Sequence, residues 1–172
     1  NAFANSGQRC TSIRRILLHN SVADLFIEKF LKKVEKIKYG DPMNIMTDMG
    51  TVINENAAMI IQGRVDNAVK DGAELLYGNK RDRALYSPTL LDNVNFKSEL
   101  VANETFGPVA PIIRINNVEG AIKIINSVNH RLAGGIMTRN REMAEFVSNS
   151  IKVGQFNWNN NPGFRTEKAP FG

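Results

Sequence analysis

The stretch Ile13-Arg14-Arg15-Ile16-Leu17-Leu18-His19-Asn20-Ser21-Val22 decides how the chain is read. Its first seven residues form a short, bounded, largely apolar run, the pattern of a buried strand over residues 13–19. Asn20-Ser21 supplies a helix cap. Beyond it Val22, Phe26, Phe30, Val34 and Ile37, with Ile27 and Leu31 beside them, recur at helical spacing through about residue 38. A strand feeding directly into an amphipathic helix opens a βαβ unit.

The alternation continues on both sides. Upstream, residues 2–6 read as the last turn of a helix closed by Gly7, the residue that most easily takes a left-handed cap. Downstream, Gly40-Asp41-Pro42 ends the first helix, and a loop rich in Met, Asn and Gly runs to about Ile53. A second helix is expected from about Glu55 to Asp71, with Ala57, Ile61, Val65 and Ala68 on one face and Gly72 as its stop. Residues 73–77 and 86–91 are strand candidates, and Pro88 makes the second an edge strand or a loop-bounded one. Residues 92–106 read as irregular, and 109–115 as a strand. Asn116, three residues before Glu119, caps a third helix with Val118, Ala121, Ile122 and Ile125 inward. A small-residue strand over 132–138 leads to a fourth helix, capped by Asn140 and using Met143, Ala144, Val147 and Ile151. A short strand over 155–158 precedes a loop over 159–172. The fold class is therefore α/β, one domain over residues 1–172, with a largely parallel open sheet and helices on both faces.

Composition narrows the classes of function. The 172 residues, 42% hydrophobic and 23% charged, suit one soluble domain with a substantial core. No apolar run approaches the roughly 20 residues that span a bilayer, and no secretory-type leader is visible. No membrane partner is expected. A single cysteine forms no internal disulfide, so a cytoplasmic setting is expected. The net charge of +5, from 22 Lys and Arg against 17 Asp and Glu, is interleaved as in Glu28-Lys29-Phe30-Leu31-Lys32-Lys33-Val34-Glu35-Lys36. That is the solvated face of a helix, and no nucleic-acid partner is expected. The chain begins at Asn1 without a methionine and stops at Pro170-Phe171-Gly172, which reads as a piece of something longer.

Several loops carry candidate chemistry. Cys10 lies between a glycine break and polar residues, so it is either a reachable thiol or a small packing residue. Glu104-Thr105-Phe106-Gly107-Pro108 is either plain punctuation before a strand, or a carboxylate and a ring on a rigid turn, suited to a polyol and a flat ring. His19 and His130 are either bases of a Cys–His pair or ordinary surface residues. No H-x-x-x-H or C-x-x-C spacing occurs, so no metal is expected. In the turn-rich tail from Asn159 to Glu167, Arg165 either binds an anion or is solvated. No G-x-G-x-x-G turn is present, so most of the cradle for any nucleotide lies elsewhere.

Three separated segments then coincide with one family. Gly7-Gln8-Arg9-Cys10-Thr11-Ser12 resembles the nucleophile motif of the NAD(P)-dependent aldehyde dehydrogenase superfamily. Glu104-Thr105-Phe106-Gly107-Pro108-Val109 resembles its E-x-F-G-P-V motif. Gly154-Gln155-Phe156-Asn157-Trp158-Asn159, followed by Pro170-Phe171-Gly172, is similar to its G-x-V-x-x-N…P-F-G-G segment. The resemblance implies a catalytic domain of the aldehyde dehydrogenase type, with the nucleotide-binding domain absent from this chain. It implies NAD or NADP as cofactor, a small-molecule aldehyde as substrate, and a homo-oligomeric full-length protein. By the same resemblance Cys10 attacks the aldehyde, its own backbone N–H donates to the oxyanion, and water hydrolyses the resulting thioester. Glu104 takes the role of the residue that binds the nicotinamide-ribose hydroxyls. Phe106 packs near the nicotinamide, and Asn159 shapes the substrate end.

Arg9 and Arg165 resemble the arrangement in branches acting on anionic or hydroxylated aldehydes, such as phosphonoacetaldehyde or lactaldehyde; a guanidinium fork suits such anions. The family's general-base glutamate, oxyanion-hole asparagine and G-x-T-x-x-G loop precede this segment, and the usual Y-G-L reads His130-Arg131-Leu132. The expectation is that the 172-residue chain alone has little or no dehydrogenase activity. A CoA-acylating relative and a non-catalytic basic α/β binding domain are the alternatives.

Overall fold

The computed structural model of the chain describes residues 1–168, so the expected motif Pro170-Phe171-Gly172 lies outside the described residues. In chain order the elements begin with β1 (Ile16–His19), α1 (Asn20–Val34), α2 (Glu55–Lys70) and β2 (Glu74–Tyr77). There follow β3 (Arg81–Asp82), β4 (Leu85–Tyr86), β5 (Thr89–Asp92), α3 (Glu99–Ala102) and β6 (Val109–Ile115). Last come α4 (Val118–Asn126), β7 (Ala133–Ile136), α5 (Arg141–Ser150) and β8 (Gln155–Trp158).

The main sheet has the order β1-β6-β5-β2. β6 runs parallel to both β1 and β5, with Ile16 opposite Ile112 and Thr89 opposite Val109. Only β2, on the outer side of β5, is antiparallel. Period-two alternation sends the strand residues to two separate cores. Leu90, Ala110 and Ile112 pack with Ala23 and Val34 of α1. Leu91, Val109 and Ile113 pack with Ala58, Ile61 and Val65 of α2. Each such large aliphatic side chain contributes about 2 kcal/mol when fully buried. The α/β class, the largely parallel sheet and the helices on both of its faces are as the sequence implies.

Arg114 of β6 ties this layering together. Its guanidinium donates to both oxygens of the buried Asp92 on β5, at 2.8–3.2 Å, and to Asp24 of α1 at 2.7 Å. Those two carboxylates hold the guanidinium more firmly protonated than usual.

Several local expectations are corrected. α1 is capped by the His19 ring, whose Nδ1 accepts from the Ser21 N–H, rather than by Asn20-Ser21. The helix ends at Val34, and Val22 and Phe26 stay exposed while Ala23 and Val34 turn inward. The third helix is capped by Asn117, whose Oδ1 accepts from the Gly120 N–H at 2.8 Å. Asn116 is engaged instead by α1: its carbonyl meets His19 Nε2 at 2.9 Å and its side chain accepts from Asn20. The hairpin β3–β4 and the short α3 were not expected, because two-residue strands and a single helical turn carry no readable period. Pro88 bounds β5, which is an interior strand.

Residues 2–6 do not end a right-handed helix. Ala4–Gly7 form one tight turn in which Asn5 and Ser6 are left-handed, with φ of 52° and 54°. The reason is a long-range anchor: the Ser6 hydroxyl donates to Gly50 O at 2.9 Å, drawing the turn onto the loop after α1. β7 and β8 pair with each other, in parallel, as a second small sheet.

Candidate active site

Cys10 follows directly from that left-handed turn. Gly7 continues it at φ +70°, and its backbone lies so close to Gly107 that a Cβ there would overlap the Gly107 carbonyl oxygen. Only glycine meets both demands. The consequence is that residues 7–12 and 104–108, far apart in sequence, abut backbone to backbone. Gln8 fixes the other side of the turn: its Oε1 accepts from the Ile53 N–H at 2.7 Å. Cys10 itself is exposed.

Arg14 joins the two segments a second time. Its Nη1 donates to Thr105 O at 2.8 Å and to Gly7 O at 3.4 Å. Its Nη2 donates to Arg9 O at 2.7 Å and forms an ion pair with Glu104 Oε1 at 3.3 Å. The guanidinium carbon stands 4.1 Å from the centre of the Phe106 ring. Burial pulls the guanidinium below its ordinary pKa, against the pull of Glu104. From the opposite side Arg64 of α2 donates to Glu104 O at 2.9 Å and to Thr105 Oγ1 at 3.0 Å. The turn between α3 and β6 is thus held from both flanks. The Glu104 carboxylate and the Phe106 ring remain about two-fifths exposed, at 40% and 42%.

A cleft of about 180 Å³ opens beside Cys10, bordered by Arg14, Glu104, His130, Gly134 and Pro162. It lies between the start of β1 and the small sheet, whose Gly134 and Gly135 border it. His130 reaches the cleft; His19 does not, being occupied as the cap of α1. His130 Nε2 is buried without a hydrogen-bond partner among the described residues. Burial first, and the Arg15 charge second, pull its pKa below the ordinary value. Arg131, standing where the resemblance has a glycine, has no left-handed φ, so the backbone passes without strain.

The tail comes close to the nucleophile loop. Asn1 Nδ2 donates to Thr11 O and to Asn161 Oδ1, both at 3.3 Å. The Gln155 and Asn157 side chains hold the turn by donating to Pro162 O, and Gln155 also donates to Phe164 O. Arg165, on this loop, is exposed, as is Arg9. Neither borders the cleft, although Arg9 O is one of the Arg14 acceptors. Asn159 is also outside it. Left-handed at φ 54°, it accepts from the Thr138 N–H and donates to Thr138 O, each at 2.9 Å, locking the end of β8 to the second residue beyond β7.

The structure therefore brings Cys10, Glu104 and Phe106 together, and adds Arg14, which reading of the sequence had placed in a buried strand. A chemical hint was available: two adjacent arginines at the head of an apolar run need partners that the run itself does not provide. Among the described residues, no cluster of three or more His, Cys, Asp or Glu side chains is placed to hold a metal. No helix among them is long and apolar enough to cross a membrane.

Comparison with known proteins gives this geometry a context. The model of the aldehyde dehydrogenase family matches residues 1–172. A sulfoacetaldehyde dehydrogenase of Neptuniibacter caesariensis is 39% identical over 170 residues, 99% of this chain and 37% of its own length. Aldehyde dehydrogenase 21 of Physcomitrella patens, in complex with the reaction product succinate, superimposes with a TM-score of 0.94 at 31% identity, over 99% of this chain and 36% of that one. A glyceraldehyde-3-phosphate dehydrogenase of Methanocaldococcus jannaschii, complexed with NADP, gives 0.89 at 36% identity, over 98% and 36%. The chain spans little more than a third of the length of these relatives.

Proposed function

Because this chain belongs to the aldehyde dehydrogenase family, we propose that its 172 residues are the nucleophile-bearing part of a catalytic domain that oxidises an aldehyde to a carboxylic acid with NAD or NADP. The observation that carries this reading is the convergence of an exposed Cys10 with the Glu104 carboxylate and Phe106 ring, two segments abutting at Gly7 and Gly107.

The residues fit the cofactor. A carboxylate that is an acceptor only suits the two hydroxyls of a ribose, and a half-exposed ring beside it suits a flat heterocycle. Glu104 and Phe106 would hold that end of the nucleotide. The chemistry supplied by NAD or NADP, when bound, is acceptance of hydride from the Cys10 adduct. The chain's own part is nucleophilic catalysis. The Cys10 thiolate adds to the aldehyde carbon, and the Cys10 backbone N–H donates to the oxyanion, where donors count most because that charge develops in the transition state. After oxidation the acyl group sits on Cys10 as a thioester, which water cleaves to the acid and the thiol.

For the substrate, an anionic or hydroxylated aldehyde is favoured. The named relatives handle sulfoacetaldehyde, glyceraldehyde 3-phosphate and succinate as product, each bearing an anionic group. Arg165, three residues beyond the Pro162 that borders the cleft, is the proposed anion contact, with Arg9 beside the nucleophile and Asn159 holding the loop's root.

In the full-length protein, Cys10→Ser should lower kcat for NAD(P)-dependent aldehyde oxidation by more than about 1,000-fold. Retention of activity within about threefold would overturn the reading. Arg165→Ala should raise KM for an anionic aldehyde by about tenfold and leave a neutral aldehyde nearly unchanged. Equal effects on both would remove the anion contact. The isolated 172-residue chain is proposed to have little or no turnover, and measurable turnover would sink that part.

A further inference from the structure

We propose that Arg14 is a positioning residue that sets the Glu104 carboxylate and the Phe106 ring relative to the Cys10 loop. The proposal rests on the reading of Glu104 and Phe106 as the nucleotide contacts.

One guanidinium reaches both segments at once. Toward the nucleophile loop it holds Arg9 O at 2.7 Å and Gly7 O at 3.4 Å. Toward the other it holds Thr105 O at 2.8 Å, pairs with Glu104 Oε1 at 3.3 Å, and lies over the Phe106 ring at 4.1 Å. The Arg14 side chain is only 9% exposed, so these contacts are made largely out of water and are weakly screened. The demand is specific to arginine. A planar fork with donors around its edge and two open faces serves carbonyls in its plane and a ring on its face simultaneously. A lysine in the same place is a point charge that serves one or two acceptors and no stack.

The contact is also redundant for holding the backbone. Gly7 packs on Gly107, and Arg64 grips Glu104 O and Thr105 Oγ1 from the other flank, without Arg14. What Arg14 alone determines is the side-chain setting: where the Glu104 carboxylate points and how the Phe106 ring is tilted, relative to the carbonyl of the residue preceding Cys10. Misplacement of reacting groups by about 1 Å costs as much as 100-fold in rate. Removal of Arg14 therefore acts on the nucleotide and on the chemical step, and much less on aldehyde binding.

The test uses the full-length enzyme with Arg14→Gln and Arg14→Lys, and steady-state kinetics against NAD(P) and aldehyde separately. Arg14→Gln should raise the nucleotide KM by about tenfold and lower kcat by about tenfold, with the aldehyde KM within about twofold. Arg14→Lys should recover less than about threefold of either loss. In combination with Phe106→Leu, the Arg14→Lys effect should shrink, because the stack is already gone. Nucleotide KM and kcat within twofold of wild type in Arg14→Lys would overturn the proposal, as would an equal rise in both KM values. Should Arg14→Gln fail to fold, Arg14→Lys and the Phe106 pair decide alone. A wild type without nucleotide-dependent oxidation overturns the reading of the site and this proposal with it; an active wild type with indifferent Arg14 variants overturns this proposal only.

Discussion

At the scale of single residues, the site is built on two glycines more than on any charged group. Gly7→Ala meets both a left-handed backbone and the Gly107 carbonyl, whereas Gly72, at φ +101°, faces open space. Gly7→Ala should lose about 2–4 kcal/mol in urea unfolding, and Gly72→Ala only about 1 kcal/mol. His130 adds a pH dependence. Its folded pKa lies below the ordinary 6.5, so the unfolded chain binds the extra proton more readily. The stability this group contributes is complete above about pH 6.5 and is lost as pH falls through its folded pKa. His130→Gln should flatten the acid side of a stability profile measured by thermal unfolding between pH 7 and 5, and an unchanged slope would show that another group is responsible. Cys10, Glu104 and Phe106 stood out in the sequence as reactive types in turn-forming surroundings. Those surroundings left a packing thiol and a plain turn open, and only the resemblance to a family gave the three residues roles. Arg14 did not stand out, because its partners are mostly backbone carbonyls, which no side-chain pattern announces.

At the scale of elements, helices and strands were placed by their periods, and their ends were decided by neighbours. Asn54 and Asn140 cap α2 and α5 by accepting from the N–H groups of Ala57 and Met143, at 2.8 and 3.0 Å. Asn140 was readable because its surroundings left its side chain to the helix. The capping-box spacing to Glu119 pointed to Asn116 rather than Asn117, and a histidine 97 positions from Asn116 engages it instead, leaving Asn117 to the helix. Asn117→Ala should cost about 1 kcal/mol of stability, and Asn116→Ala within about 0.5 kcal/mol, read as shifts in melting temperature. The reverse order would mean that the contact between Asn20 and Asn116 matters more than the cap.

At the scale of the whole molecule, the chain has a main sheet with a helix-covered core on each face and, across the cleft from β1, a small sheet of two strands. The alternation of strand and helix was enough to read the class. It was silent on the division into separate sheets, because strand periodicity reports which face is buried and not which neighbour is paired. The small sheet is closed at its end by Asn159 on Thr138, with Trp158 Nε1 donating to the same Thr138 carbonyl at 2.9 Å. Trp158 is the only tryptophan in the 172 residues, and it is 43% exposed. Light absorbed by indole alone is therefore emitted from one corner of the chain, the far end of β8. Its fluorescence reports on the end of the small sheet, while far-ultraviolet dichroism is dominated by the helices. The two spectroscopic transitions coincide only where both sheets melt as one cooperative unit.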